Sequence, residues 1–106
     1  MNSQVAERFR TIATSVGELC EACGVERLEL FGSGTGESWK STESDVDLLV
    51  RFRVPSRAGI ADDYLRLAEG LESLLGARVD LLTEDSVRNP YFRASIDRSR
   101  QPVYAG

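Results

Sequence analysis

The most constraining stretch of the sequence is residues 28–52, an apolar segment, a glycine-rich turn, a polar spacer and a second apolar segment that carries two aspartates. Both apolar segments have the length and content of buried strands. Because successive side chains of a strand point to opposite faces, Asp45 and Asp47 share one face and the alternate positions enter a core. The positions predicted to face that core are Val46, Leu48 and Val50.

The two aspartates predict a cation site. Carboxylates on one strand face repel each other at neutral pH unless a cation or a proton intervenes, and no basic residue adjoins either aspartate in the sequence. Carboxylate oxygens a few ångström apart are ligands that suit a hard divalent cation such as Mg²⁺. Asp45 and Asp47 are therefore candidate magnesium ligands.

The turn at residues 32–36 reads Gly-Ser-Gly-Thr-Gly. Its backbone N–H groups and hydroxyls can receive phosphate oxygens. The turn lacks the ending of a P-loop and the spacing of a dinucleotide fingerprint, so alone it indicates only a flexible turn. An Asp-x-Asp pair alone is equally weak. Nucleotidyl transfer needs a phosphate-binding turn beside a metal-binding acid pair. The combination of the two features therefore favours an active site over a coincidental polar face.

The same residues resemble a known family. Gly32-Ser33, a polar spacer and residues 45–50 (Asp-Val-Asp-Leu-Leu-Val) are similar to the signature of the polymerase-beta-type nucleotidyltransferase superfamily. The short chain resembles its minimal branch, the MNT domains that are usually encoded beside a HEPN-domain protein. Residues 78–82 (Arg-Val-Asp-Leu-Leu) look like the strand that supplies a third carboxylate in that family. The resemblance extends over nearly the whole chain.

The resemblance implies a role for each of these residues. Asp45 and Asp47 would hold magnesium ions that bridge the phosphates of a nucleoside triphosphate, and Asp80 would complete the site of the metal that activates the attacking hydroxyl. Gly32 and Ser33 would hold the terminal phosphates. The implied reaction is in-line attack on the α-phosphate with pyrophosphate leaving, catalysed mainly by positioning and charge stabilisation.

The polar spacer at residues 37–44 contains two further candidates. Lys40 could reach a triphosphate and Trp39 could stack on a base; the favoured alternatives are a solvated lysine and a tryptophan folded over the domain edge. Many minimal family members carry an arginine shortly after the Gly-Ser pair, whereas this chain continues with Gly-Thr-Gly at residues 34–36. Without that guanidinium we expect weaker triphosphate binding, which leaves catalysis open.

Composition narrows the class of protein. The 106 residues are 42% apolar and 28% charged, which predicts one soluble globular domain over residues 1–106. No apolar run could span a bilayer and the N-terminus is too polar for a signal peptide, so we expect a cytoplasmic protein with no membrane partner. The formal net charge of −4 argues against non-specific binding of nucleic acid, which needs an excess of lysine and arginine.

The chain contains no histidine. This excludes a Ser-His-Asp or Cys-His relay and any zinc site that needs histidine. Cys20 and Cys23 form a single CxxC, which is too few cysteines for a four-cysteine zinc site within one chain. Since a redox CxxC generally opens a helix and this one closes a helix, we favour two small apolar residues facing the core over redox or metal function.

Apolar periodicity and turn residues predict the secondary structure. Expected helices cover residues 3–23, 61–75 and 89–98; expected strands cover residues 27–31, 45–52 and 78–83, with a short edge strand at 102–104. Gly24 and Gly76 are expected to end the first two helices. This order predicts an α+β (α/β) domain, a small mixed β-sheet covered by helices on one side or at its ends, similar to the polymerase-beta-like nucleotidyltransferase fold.

Several further side chains have a structural expectation. Tyr91 and Phe92, at the start of the last helix, are expected in the core, with a partner-facing aromatic patch as the alternative. Glu43, Glu84 and Asp85 are expected to be solvated acids or helix caps.

Two functions of different classes follow. The first is a Mg²⁺-dependent nucleotidyltransferase that moves a nucleoside monophosphate, AMP from ATP, to a hydroxyl of a protein or small molecule; the resemblance implies the antitoxin of a HEPN-domain partner. No additional domain is available to grip the base or acceptor, so a partner chain or a homodimer would complete the site. The second is a catalytically inactive nucleotidyltransferase fold that neutralises its partner by contact.

Overall fold

The computed structural model describes residues 3–32, 45–53 and 60–106. Its elements in chain order are α1 (Ser3–Thr11), α2 (Ala13–Ala22), β1 (Val25–Phe31), β2 (Val46–Phe52), α3 (Ile60–Leu75), β3 (Val79–Thr83), a 3₁₀ turn (Glu84–Ser86), α4 (Pro90–Ser99) and β4 (Gln101–Ala105). The described strands form one sheet in the order β3-β2-β1-β4. β2 and β3 are parallel and the other pairs are antiparallel, so the predicted mixed sheet is confirmed.

Side-chain alternation gives the sheet two buried faces. One face packs against α1, α2 and α3 and forms the main core, in which the strand residues are Val25, Leu28, Leu30, Val46, Leu48, Val50 and Leu81. The other face packs against α4, where Ile96 meets Phe31 and Leu49. Helices therefore cover both faces rather than one side or the ends. In β2 the three consecutive residues Leu48, Leu49 and Val50 are apolar and buried, which is typical of a strand segment that is covered on both faces.

The predicted helix over residues 3–23 is two helices that break at Ile12, whose φ and ψ are −110° and 12°. Ile12 and the nearby Thr11 and Thr14 are β-branched, which lowers helix propensity. The Thr11 hydroxyl also donates to the Arg8 carbonyl at 2.9 Å, a local bond that competes with the regular helix. Both helices still face the main core along the predicted apolar stripe.

The predicted helix ends are confirmed. Gly24 and Gly76 follow α2 and α3 with φ of +70° and +64°, in the left-handed region that glycine adopts at low cost. Asn89 begins α4, and its side chain accepts hydrogen bonds from the backbone N–H groups of Tyr91 at 2.9 Å and Phe92 at 3.2 Å. Pro90 occupies the first turn, where its missing N–H has no consequence.

The expectation that Tyr91 and Phe92 lie in the core is wrong. Tyr91 is 86% exposed and Phe92 is 43% exposed. Phe92 meets Phe31 edge-on, with ring centroids 6.1 Å apart. The residue of α4 that enters the second core is Ile96, one helical turn further along, so the first turn of α4 is only partly covered.

The cysteines are buried free thiols, as the apolar interpretation of the CxxC predicts. Burial and the neighbouring Cys23 raise the pKa of the Cys20 thiol to about 12. Burial is also the largest cause that raises the pKa of Cys23. Thiolates are the reactive form, so both side chains are inert near neutral pH.

The expectation that Glu84 is a solvated acid or a cap is wrong. Its side chain is 12% exposed and contacts four arginines, whereas Asp85 is exposed as expected and Glu43 lies outside the described residues. The partners and their N–O distances are Arg100 at 2.6 Å, Arg27 at 3.1 Å, Arg93 at 3.5 Å and Arg51 at 3.6 Å. These arginines come from separate parts of the chain, so their convergence is a product of the tertiary fold.

The chain's described helices include none that is long and apolar enough to cross a membrane.

Candidate active site

The strand register brings two of the predicted carboxylates together. β2 and β3 run parallel, and Asp47 is the direct partner of Asp80. Partners on adjacent strands share a face of the sheet, and the strands lie about 4.8 Å apart. Asp47 is half-buried and Asp80 is exposed, so the pair stands at the solvent edge of the face that α4 partly covers.

Asp45, the remaining carboxylate, lies immediately before β2 and is paired with an arginine. The backbone N–H of Val46 donates to the Arg78 carbonyl at 2.9 Å, which continues the pairing by one row. The Arg78 Nε lies 3.2 Å from Asp45 Oδ1. Arg78 was not a candidate from the sequence, although its position two residues before Asp80 gives it the same face.

Gly32 is in contact with this group of acids. It follows β1, in which Phe31 is the partner of Asp47, and its φ is +70°. A Cβ added at Gly32 would lie 2.6 Å from Asp47 Oδ2. The start of the glycine-rich turn therefore lies directly against the second aspartate, and a side chain at this position would have to displace the Asp47 carboxylate.

Ser99, the last residue of α4, holds the start of the turn. Its hydroxyl accepts a hydrogen bond from the Gly32 N–H at 3.1 Å and donates to carbonyls of its own helix, Ser95 at 3.3 Å or Ile96 at 3.4 Å. Sequence reasoning missed Ser99 because a serine at a helix end carries no distinguishing signal. The role of the Gly32 N–H as a phosphate donor stays a prediction, since Ser99 engages that N–H in this structure.

The remaining candidates of the turn and spacer are Ser33, Trp39 and Lys40. All three lie outside the described residues. The described part of the site is therefore a grid of four side chains on one sheet face, with Asp45 beside Arg78 and Asp47 beside Asp80.

The chemistry of this grid fits a hard divalent cation. Its donors are carboxylate oxygens, which Mg²⁺ prefers, and its three carboxylates and one guanidinium carry a formal charge of −2. Within the described residues, no group of three or more Asp, Glu, Cys or His side chains is gathered closely enough to hold a metal ion. Asp47 and Asp80 are neighbouring carboxylates on adjacent strands, whereas Asp45 is engaged by Arg78.

Comparison of the chain with known proteins gives a consistent result. The sequence model of the family described as "Nucleotidyltransferase domain" matches residues 10–103. A Methanocaldococcus jannaschii protein, provisionally named a protein adenylyltransferase, is 42% identical over 74 residues, which cover 69% of this chain and 71% of the relative. Protein adenylyltransferase MntA of Thermococcus cleftensis is 41% identical over 88 residues, which cover 82% of this chain and 81% of the relative.

Solved structures share the fold. One that is provisionally described as a minimal nucleotidyltransferase superposes with a TM-score of 0.73 at 34% identity, and the match covers 96% of each chain. A chain in the complex of a tri-AMPylated Shewanella oneidensis HEPN toxin with an MNT antitoxin superposes with a TM-score of 0.60 at 18% identity, covering 96% of this chain and 73% of that chain. At that identity the second likeness shows the fold alone.

Proposed function

We propose a reaction and a partner for this chain from one premise: it belongs to the nucleotidyltransferase domain family and is an enzyme of the minimal, MNT type. The reaction is the Mg²⁺-dependent transfer of AMP from ATP to a hydroxyl group of a protein. The partner is a HEPN-domain toxin, which the chain inhibits as its antitoxin. Because the reaction consumes ATP, we propose the cytoplasm as its compartment.

The observation that carries the proposal is the register of Asp47 and Asp80 beside Gly32. It brings two adjacent carboxylates to a solvent-facing edge of the sheet, directly beside the first glycine of the glycine-rich turn. AMP is supported as the transferred group by the names of the relatives, which are protein adenylyltransferases.

We assign the metal-holding role to Asp45, Asp47 and Asp80. A bound Mg²⁺ would supply charge neutralisation at the phosphates of ATP. Asp47 and Asp80 are partners on adjacent strands and concentrate negative charge at one edge of the sheet. These two carboxylates therefore contribute most of the binding free energy for a divalent cation. We propose Gly32, whose backbone lies directly against Asp47, as a nucleotide-binding residue, together with Ser33 and Lys40.

The proposed partner is supported by the complex in which an MNT antitoxin is bound to a tri-AMPylated HEPN toxin. We propose that the acceptor protein, or a second copy of the chain, completes the site. In either arrangement the acceptor hydroxyl must approach the solvent-exposed Asp80.

The test is labelling of a HEPN-domain protein encoded beside this chain. The purified pair is incubated with ATP labelled at the α-phosphate, with and without Mg²⁺, and label on the toxin is measured by mass spectrometry and autoradiography. We expect Mg²⁺-dependent AMP on the toxin and its loss in Asp47→Asn and Asp80→Asn. Asp85→Asn is the matched control, because Asp85 is exposed on the 3₁₀ turn outside the grid of acids.

A second function, inhibition by contact without catalysis, is favoured by one observation, the engagement of Asp45 by Arg78. Under that function the toxin stays unlabelled with every nucleotide while the chain still binds and inhibits it. Labelling that persists in Asp47→Asn would contradict the site assignment itself.

A further inference from the structure

Arg78 places a positive charge inside the proposed metal site, although its side chain is mostly exposed to solvent. Its side chain is 82% exposed, and its Nε lies 3.2 Å from the Asp45 carboxylate, which is 47% exposed. Among the described residues this is the salt bridge that Arg78 makes. An exposed ion pair of this kind contributes about 0–1 kcal/mol, so Arg78 can leave Asp45 at low cost.

A divalent cation and the guanidinium compete for the same carboxylate. With Asp45 bound to Arg78, the described acids form a two-carboxylate site at Asp47 and Asp80. Release of Asp45 adds a third carboxylate to that site. A doubly charged cation is attracted to the released group more strongly than a single guanidinium at similar distance, because Coulomb energy scales with charge.

The released guanidinium has an evident second partner. Arg78 is on the same sheet face as Asp47 and Asp80, where the phosphates of a bound nucleotide would lie. A guanidinium presents donors in a planar fork that matches phosphate oxygens. The glycine-rich turn itself supplies no arginine, since residues 34–36 are Gly-Thr-Gly.

We propose that Arg78 is an exchangeable counter-ion of the active site. Without a divalent cation it neutralises Asp45, and when the cation takes Asp45 the guanidinium moves to the triphosphate of the bound nucleotide. Arg78 is then a nucleotide-binding residue that also lowers the affinity of the empty site for metal. This inference rests on the proposed function, because it requires a site that binds a cation and a nucleoside triphosphate.

The test measures two affinities that should change in opposite directions in Arg78→Ala. Binding of Mn²⁺ alone is followed by electron paramagnetic resonance, and binding of α,β-methylene-ATP with saturating Mn²⁺ is followed by calorimetry. The analogue cannot release pyrophosphate, so neither measurement depends on turnover. We expect Mn²⁺ to bind about two- to fivefold more tightly, since an ion pair worth up to about 1 kcal/mol no longer competes. We expect the analogue to bind at least about tenfold more weakly, because a charge-assisted phosphate contact is lost.

Arg10→Ala is the matched control. Arg10 is also an exposed arginine in an ion pair, with Glu7 on α1, and both affinities should stay at the wild-type values. Circular dichroism should show that Arg78→Ala is folded, as its exposure predicts. Arg78→Lys keeps the charge without the fork, so we expect it to bind Mn²⁺ like wild type and the analogue with intermediate affinity.

Each other outcome has a distinct meaning. An Arg78→Ala variant that matches wild type in both affinities refutes the inference and leaves the proposed function standing. A variant that loses both affinities also refutes it, since Arg78 would then only position Asp45. Wild-type protein that binds neither Mn²⁺ nor the analogue refutes the proposed function and, with it, the inference.

Discussion

Removal of Glu84 should destabilise the whole domain, because this carboxylate is the common partner of four arginines. Its side chain is 12% exposed, and its closest partner, Arg100, is 21% exposed. Loss of one member of a buried ion pair costs about 3–5 kcal/mol. Arg27 and Arg51 are 44% and 53% exposed, so each of their contacts adds no more than about 1 kcal/mol.

Arg100 keeps other acidic partners after the substitution, which reduces the expected loss. Its guanidinium also lies 2.5 Å from Glu29 Oε1 and 2.7 Å from Asp97 Oδ1. We therefore expect Glu84→Ala to lower the free energy of unfolding by about 2–3 kcal/mol, below the full value for an isolated buried pair. Glu84→Gln keeps an acceptor oxygen and should lower it by about 1–2 kcal/mol.

The pH dependence gives a second, independent test of Glu84. Burial alone would raise its pKa, but hydrogen bonds from Arg100 and Arg27 and their positive charges lower the pKa below its ordinary value. A lowered pKa in the folded state means that the stabilisation is complete above the unfolded value, about 4.3, and is lost as the pH falls through the folded value. The difference in unfolding free energy between wild type and Glu84→Gln should therefore shrink from pH 6 to pH 3.

The assay is urea unfolding followed by circular dichroism at a series of pH values. Glu7→Ala is the control, because Glu7 also pairs with an arginine but its own side chain is 64% exposed. We expect this substitution to change the free energy of unfolding by no more than about 0.5 kcal/mol. A Glu84→Ala variant within that same range, or a Glu84→Gln difference that is constant with pH, would refute the reasoning from burial and charge convergence.

Three further predictions follow from local geometry. Gly32→Ala should lower the free energy of unfolding, measured with urea, by about 1–2 kcal/mol, which is the cost of a positive φ. It should also weaken Mn²⁺ binding, measured by electron paramagnetic resonance, because the new Cβ displaces the Asp47 carboxylate. Asn89→Ala removes the acceptor for two backbone N–H groups and should cost about 1 kcal/mol in urea unfolding, with unchanged stability contradicting the cap. Cys20 and Cys23 should react with a thiol reagent at neutral pH only after denaturant is added, and rapid reaction of the native protein would contradict their burial.

The sequence could predict the parts of the fold that depend on local pattern. Strand alternation correctly places Asp47 on the opposite face from Leu48, and the glycine and asparagine at helix ends correctly mark the caps. The break at Ile12 was missed because the apolar stripe continues through it and hides the weak helix propensity of the surrounding residues.

The candidate site could be predicted only where its residues belong to a motif. Strand alternation and the glycine-rich turn indicated Asp47 and Gly32, the family resemblance added Asp80, and the structure brings these three together. Arg78 and Ser99 reach the site through strand pairing and helix docking. Neither residue has a sequence pattern of its own, so their contacts become visible only once the sheet register is known.

The position of β3 at the edge of the sheet has a consequence for inactivation by heat or denaturant. Within the described residues β3 pairs with one strand, β2. Two hydrogen bonds connect it to α3: the Tyr64 hydroxyl donates to the Leu81 carbonyl, and the Val79 N–H donates to the Glu72 carboxylate at 3.0 Å. Fraying of such a border segment needs less energy than melting of the interior. It would carry Asp80 away from Asp47, so loss of nucleotidyl transfer should precede the cooperative collapse of the domain.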